Sequence, residues 1–121
     1  MLRTSLAAVL ALGLLGGTAS AQDNEAERRY LGLQEAIAAA KTCFDLTFDQ
    51  DQANRLNVRV MDIVGESIGP GAKLSLIRDA RRTVDRLDGV GGSPDCSVPP
   101  LSDMIGVYRQ NLNDTVPLPA G

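Results

Sequence analysis

The chain has 121 residues, and its 12 basic and 15 acidic side chains give a formal net charge of −3. This acidic balance argues against nucleic acid as a partner, because proteins that bind nucleic acid present a basic surface to its phosphates. The sequence contains no histidine, which excludes His-ligated haem, the HExxH zinc site and every mechanism with an imidazole base.

The first 21 residues have the order of a cleavable secretory signal peptide. Arg3 is followed by an apolar run from Leu6 to Leu15 and then by small residues that end at Ala19-Ser20-Ala21. A signal peptidase cuts after small side chains of this kind, so we expect the mature protein to begin at Gln22. A bilayer core needs roughly 20 apolar residues, and this run is much shorter. We therefore expect a periplasmic or secreted protein without a stable membrane anchor after cleavage.

Cleavage after Ala21 leaves 100 residues, which suits one domain with a small core. Both cysteines, Cys43 and Cys96, lie in this mature part. Because exported chains with an even number of cysteines most often pair them, we predict one disulfide between Cys43 and Cys96. The chain-entropy model gives a bridge across a loop of this length about 4 kcal/mol of stabilisation. The alternative is a pair of free thiols or an intermolecular bridge.

Two amphipathic helices are predicted in the first half of the mature chain, where apolar residues recur at intervals of three and four. The stripe of the first helix, which Asp23 or Asn24 can cap, consists of Ala26, Tyr30, Leu33, Ile37, Ala40 and Phe44. Asp49 and Gln52 have the spacing of a capping box for the second helix. The stripe of that helix consists of Ala53, Leu56, Val60, Ile63 and Val64. We expect the second helix to end at Gly69-Pro70-Gly71.

Two further helices are predicted in the second half. The third stripe consists of Leu76, Ile77, Ala80, Val84 and Leu87, and Gly89 stands where a C-terminal cap is expected. Residues 90–100, which include Cys96, contain glycines and prolines that are incompatible with a regular helix. A last helix should begin between Pro100 and Ser102, with Leu101, Met104, Ile105, Tyr108 and Leu112 along one face. We expect residues 114–121, with Pro117 and Pro119, to form a disordered tail.

Four helices with one apolar stripe each can shelter those stripes only by packing them against one another. The sequence thus predicts an all-α domain over residues 22–113, a small four-helix orthogonal or bundle-like arrangement stapled by one disulfide. Met61 and Met104 fit the core of such a domain as gap-filling residues, and a hydrophobic binding groove is the alternative place for them.

One basic cluster is a candidate binding surface. Arg78, Arg82 and Arg86 follow one another at intervals of four residues, and Arg81 lies beside them. Together these side chains could bind an anion or an acidic surface of a partner. Because acidic residues are interleaved with them, the alternative is an exposed, ion-paired helix face that has no binding function.

The other candidate sites lack a complete motif. Asp45, Asp49 and Asp51 offer oxygen ligands around a turn, but the segment departs from the EF-hand pattern after its second acid. Helix capping and turn formation explain these residues without a calcium ion. The residues that could act in catalysis are Glu35, Glu66, Ser67, Lys73 and Ser75. None of them belongs to a recognised catalytic motif. We therefore predict no enzymatic activity, no cofactor and no metal site.

The leading functional hypothesis is a non-catalytic exported domain that binds another exported protein or a small ligand. In size and plan the chain is similar to the periplasmic acid-stress chaperones, which are short, exported, helical and closed by one disulfide. That resemblance implies that acid would loosen the domain and expose its apolar stripes. No motif of the chaperones is present, so no residue role is transferred. The other hypotheses are an inhibitor or immunity-type protein of an exported enzyme, and a carrier of a ligand or metal.

Overall fold

A computed structural model describes residues 25–88 and 95–120 of the chain. These residues form four helices and no strand, with α1 at residues 25–44, α2 at Gln50–Val64, α3 at Pro70–Asp88 and α4 at Leu101–Asn111. The prediction of a small all-α domain is confirmed. Within the described ranges, no helix combines the length and the apolar character that crossing a bilayer requires.

Some of the predicted features lie outside the described residues. They are the signal peptide at residues 1–21, its cleavage site between Ala21 and Gln22, the cap of the first helix at Asp23 or Asn24, and the C-terminal cap at Gly89. These features stay predictions from the sequence.

Helix α1 is buried over a wider arc than its predicted stripe. Its buried residues are Tyr30, Leu33, Ala36, Ala39 and Ala40. At 100° per residue these positions cover about 180° of the helix circumference, roughly twice the width of the predicted stripe. The two added positions, Ala36 and Ala39, carry only a methyl group. Neighbouring elements can therefore lie close to α1 on two sides, and α1 contributes to two separate cores.

The start of α2 confirms the predicted capping box. The Asp49 carboxylate accepts a hydrogen bond from the Gln52 backbone N–H at 2.7 Å, and the Gln52 side-chain oxygen accepts one from the Asp49 N–H at 3.0 Å. These two bonds satisfy backbone donors that have no partner within the first turn of a helix. Farther along α2, Leu56 and Val60 of the predicted stripe are buried.

The end of α2 corrects the prediction that Gly69-Pro70-Gly71 would stop it. The helix ends at Val64, and the next residue, Gly65, adopts a φ of 90° and donates its N–H to the Met61 carbonyl at 2.8 Å. Glycine reaches this left-handed region without the steric cost that a Cβ atom brings. Gly69-Pro70-Gly71 instead begins α3, with Pro70 as its first residue. Proline suits that position because its missing N–H would have no helical partner there.

The larger of two hydrophobic clusters, termed the main core, contains eleven buried residues from α1, α2, α4 and the segments that follow α2 and α4. They are Tyr30, Leu33, Ala36, Ala40, Leu56, Val60, Ile68, Tyr108, Leu112, Val116 and Leu118. Among the described residues no charged side chain is buried. Met61 packs against the main core, as expected of a gap-filling residue.

The segment after α4 corrects the prediction of a disordered tail. Val116 and Leu118 are buried in the main core, while Pro117 and Pro119 between and after them are exposed. The buried Tyr108 hydroxyl donates to the Val116 carbonyl at 2.7 Å. An extended chain places alternate side chains on opposite sides, so this short alternation of apolar and proline residues can cover a core. Residues 114–120 therefore belong to the folded domain.

The smaller cluster, termed the disulfide-side core, has only three buried residues, Ala39, Val84 and Leu101. Cys43 at the end of α1 and Cys96 before α4 pack against it. The two cysteines form the predicted disulfide, with their Cα atoms 6.0 Å apart. The bridge ties the segment before α4 to α1 and so confirms the predicted staple.

Candidate functional site

The four arginines predicted as a candidate binding surface all lie on α3. Arg78, Arg81, Arg82 and Arg86 are all exposed on α3. Arg82 approaches Asp79 at 4.0 Å, and both side chains are more than half exposed, so this ion pair adds little stability. Arg81 lines a concave surface formed by two adjoining hollows, whose linings do not include the other three arginines. Arg81 therefore differs from the other three arginines in that it contributes to this concave surface.

That concave surface, termed the cleft, lies where α1 and α3 face each other beside α2. It consists of two adjoining hollows that share Gln34, Ile37, Lys41, Ile77 and Arg81. The first hollow, about 260 Å³, is completed by Ala38, Thr42, Val84 and Asp85. The second hollow, about 330 Å³, is completed by Phe48, Ala53, Asn54, Leu56 and Asn57.

Helical spacing explains why two cations meet at the cleft. On α1, Lys41 follows Ile37 by four residues, and on α3, Arg81 follows Ile77 by four residues. Residues four apart lie on the same side of a helix, so each cation stands one turn beyond an apolar residue that lines the cleft. Lys41 was not among the binding residues predicted from the sequence. A cation at the edge of an apolar stripe, repeated on two helices, is the signal that could have found it.

The charges of the cleft are unevenly distributed. Lys41 and Arg81 are exposed, and neither forms an ion pair with another described residue. Asp85 lines the first hollow, whereas the lining of the second hollow includes no acidic side chain. The amides of Asn54 and Asn57 supply uncharged donors and acceptors to the second hollow. The second hollow and the surface shared by both hollows are therefore the more cationic part of the cleft.

Several other basic side chains are engaged within the fold. Arg55 donates to the Thr115 carbonyl at 3.2 Å, and Arg59 donates to the Asn111 carbonyl at 3.3 Å. These bonds supply partners to carbonyls at and beyond the end of α4, where a helix leaves acceptors unsatisfied. The Arg109 guanidinium lies 5.6 Å from the centre of the Phe44 ring, within the range of a cation–π interaction. These three arginines do not line the cleft, whereas Lys41 and Arg81 do.

The residues weighed as calcium ligands have structural roles or stand apart. Asp49 caps α2, and Asp51 forms an exposed ion pair with Arg55 at 3.1 Å. Asp45 lies in the turn after α1 with a φ of 51°, a conformation that Asp tolerates better than most residues. Over the described ranges, no group of three potential metal ligands comes together.

The residues weighed as catalytic groups do not line the cleft. Glu66, Ser67 and Ser75 are exposed, while Glu35 and Lys73 are half-buried. Partial burial raises the pKa of the Glu35 carboxyl, because the charged form loses water contacts. Met104 likewise lies elsewhere and packs against the disulfide-side core. The cleft therefore offers apolar contact, two cations and amides for binding.

Comparisons of the chain with models of protein families, with curated proteins and with solved structures found no match.

Proposed function

We propose that this chain is a non-catalytic, exported protein-interaction domain, and that the cleft receives side chains of a partner protein. The observation that carries this proposal is the juxtaposition of apolar residues from three helices with two cations that have no ion partner among the described residues. Such a surface combines the apolar contact and the charge that make an interface both stable and specific.

The size of each hollow suits one side chain of a partner protein. Pockets that enclose drug-sized ligands have volumes of about 300 to 1,000 Å³ and bury most of the ligand's surface. The first hollow, at about 260 Å³, is smaller than that range, and the second, at about 330 Å³, lies just inside it. A side chain of a larger partner fits such a hollow, and the rest of the partner can cover the surrounding surface.

The proposal of export is supported by two features. The N-terminal 21 residues have the order of a signal peptide. The Cys43–Cys96 disulfide belongs to an oxidising compartment, because cytosolic thiols are kept reduced. These two features support a periplasmic or secreted location.

Site-specific photo-crosslinking tests the interaction proposal. A photoreactive residue at Asn57, which lines the second hollow, should form a discrete adduct with one exported protein. The same residue at Ser75, which is exposed on α3 outside the cleft, should not. Adducts of equal yield from both positions, or from neither, would contradict the proposal.

A blocking substitution provides the matched control. Ala53 is exposed and lines the second hollow, so Ala53→Trp should fill the hollow and abolish the adduct from Asn57. Val58→Trp changes an exposed side chain on α2 that does not line the cleft and should leave the adduct unchanged. A single stoichiometric partner that is an enzyme would favour the inhibitor or immunity-type class. Many unfolded clients captured only in acid would identify the chaperone class.

A further inference from the structure

We infer that the partner presents a carboxylate next to an apolar side chain, and that Lys41 and Arg81 bind this carboxylate together. The inference rests on the proposed function and names the chemistry that the cleft recognises. Its starting point is that α1 and α3 each place one cation at the surface shared by the two hollows.

Charge complementarity selects an acidic partner. An ammonium and a guanidinium without an ion partner among the described residues can both donate hydrogen bonds to a carboxylate, and such charge-assisted bonds are stronger than neutral ones. Arg81 can bind both carboxylate oxygens with its planar group, and Lys41 can approach as a point charge. A cationic or purely apolar segment would leave these two groups without compensation.

The negative charge of the chain as a whole does not oppose this local selection. At physiological ionic strength the screening length is about 8 Å, so acidic residues farther away act only weakly on a group in the cleft. Asp85 is the acidic residue of the cleft lining, and it lines the first hollow only. Repulsion from Asp85 therefore shifts a bound carboxylate toward the second hollow.

The second hollow then receives the neighbouring apolar side chain. Phe48, Ala53 and Leu56 supply apolar surface there. The amides of Asn54 and Asn57 lie where they can hydrogen-bond the backbone of a bound segment. A partner segment in which Asp or Glu adjoins Leu, Ile or Phe matches this arrangement. Its carboxylate would lie at the two cations, its apolar side chain in the second hollow, and its backbone beside the amides.

A peptide display selection on the oxidised protein tests the inference. One library contains short peptides with an Asp or Glu beside Leu, Ile or Phe, and a matched library carries Asn or Gln at the acidic position. We expect the wild-type chain to enrich the acidic library only. Against an enriched peptide, Lys41→Gln and Arg81→Gln should each weaken binding about tenfold, since each removes a charge-assisted bond. Arg78→Gln, on the same helix outside the cleft, should leave the affinity unchanged.

The possible outcomes separate the inference from the proposed function. Equal enrichment of acidic and amide peptides, or acidic binding that survives Lys41→Gln and Arg81→Gln, would overturn the inference. If the Asn57 adduct with a partner protein still forms in that case, the proposed function stands and only the chemistry of recognition is wrong. Decanoate, which joins a carboxylate to an apolar chain without a peptide backbone, tests the alternative of a small ligand. If decanoate binds saturably at Lys41 and Arg81 and no acidic peptide is enriched, the cleft binds small carboxylates and the inference is overturned. Both substituted residues are exposed, so unchanged thermal unfolding serves as the folding control.

Discussion

The main core and the disulfide-side core are stabilised in different ways. The main core has eleven buried residues and a buried hydrogen bond from Tyr108 to the segment after α4. The disulfide-side core has three buried residues, and the Cys43–Cys96 bond lies against it. Helices α1 and α4 run through both. The comparison shows that the covalent bond is placed where burial of apolar surface is smallest.

The difference has a physical reason. Each fully buried large aliphatic or aromatic side chain contributes about 1.5 to 3 kcal/mol relative to its exposed state. The main core has nine such residues besides Ala36 and Ala40, and these can order it without a cross-link. Three residues, one of them alanine, contribute much less than the entropy lost in ordering the chain around them. A disulfide reduces the entropy of the unfolded chain instead and so stabilises the region without more apolar surface.

Removal of the disulfide should have the largest effect. The double substitution Cys43→Ala and Cys96→Ala avoids unpaired thiols, and we expect it to lower the free energy of unfolding by about 4 kcal/mol. Urea unfolding of the oxidised parent and the double variant measures this difference. Hydrogen exchange should show the greater loss of protection near Ala39, Val84 and Leu101. An equal loss near Tyr108 and Leu112 would show that the two cores unfold as one unit.

The substitution Leu56→Ala tests the main core. Leu56 is 2 % exposed, and its truncation should lower the free energy of unfolding by about 3 kcal/mol, because it leaves a cavity in a packed interior. Leu56 does not belong to the disulfide-side core. Its effect and that of the cysteine substitutions should therefore add to within about 0.5 kcal/mol in a double-mutant cycle. Val84→Ala, in the disulfide-side core, is the matched substitution, for which we expect a larger departure from additivity.

The substitution Tyr108→Phe tests whether the segment after α4 is part of the main core. It removes the donor to the Val116 carbonyl and should lower the free energy of unfolding by about 2 kcal/mol, since a buried acceptor loses its partner. Burial raises the pKa of Tyr108 to about 12. The neutral phenol thus favours the folded state, and this stabilisation is present below pH 10 and lost as the pH rises from 10 to 12. In an absorbance titration, the parent should show a tyrosine transition near pH 12 that is missing in the variant. Ionisation of Tyr108 at its usual pH in the parent would contradict its burial.

Much of this fold could be predicted from periodicity and spacing. The capping box at Asp49, the pairing of the cysteines and the stripes of α3 and α4 depend on local sequence, and the structure confirms them. The stripe of α2 is confirmed except at Ala53, which is exposed. The burial of Val116 and Leu118 depends on Tyr108 and the rest of the main core, which lie elsewhere in the chain, so composition alone suggested a disordered tail.

The cleft could be predicted only in part for the same reason. The sequence singled out Arg81 through its neighbours on α3, but those neighbours do not line the cleft. Lys41 joins Arg81 only because α1 and α3 lie beside each other in the folded domain. The position of one helix relative to another depends on packing over the whole core, which spacing within a single helix does not contain.

The smallest expected effect concerns the pH response of the turn at Cys96. The Asp95 carboxylate accepts hydrogen bonds from the Ser97 hydroxyl at 2.6 Å and the Ser97 N–H at 3.0 Å, and these bonds lower the pKa of Asp95. A lowered folded-state pKa stabilises the fold above pH 3.8, and this contribution is lost as the pH falls through the folded-state value. Asp95→Asn keeps an acceptor for Ser97 but cannot titrate, so its thermal unfolding should depend less on pH in this range.

The half-buried Glu35 provides a control of opposite sign on α1. Burial raises its pKa above 4.5, so stability falls as the pH rises from 4.5 through the raised value, and it recovers on acidification. Glu35→Gln should therefore remove a gain in stability on acidification, whereas Asp95→Asn should remove a loss of stability. If both variants follow the parent's unfolding temperature from pH 6 to pH 3, neither carboxyl contributes to the acid response. Because Asp95 lies next to Cys96, we expect its effect to reach the disulfide-side core. Hydrogen exchange near Leu101 at low pH, compared between the parent and Asp95→Asn, measures this effect.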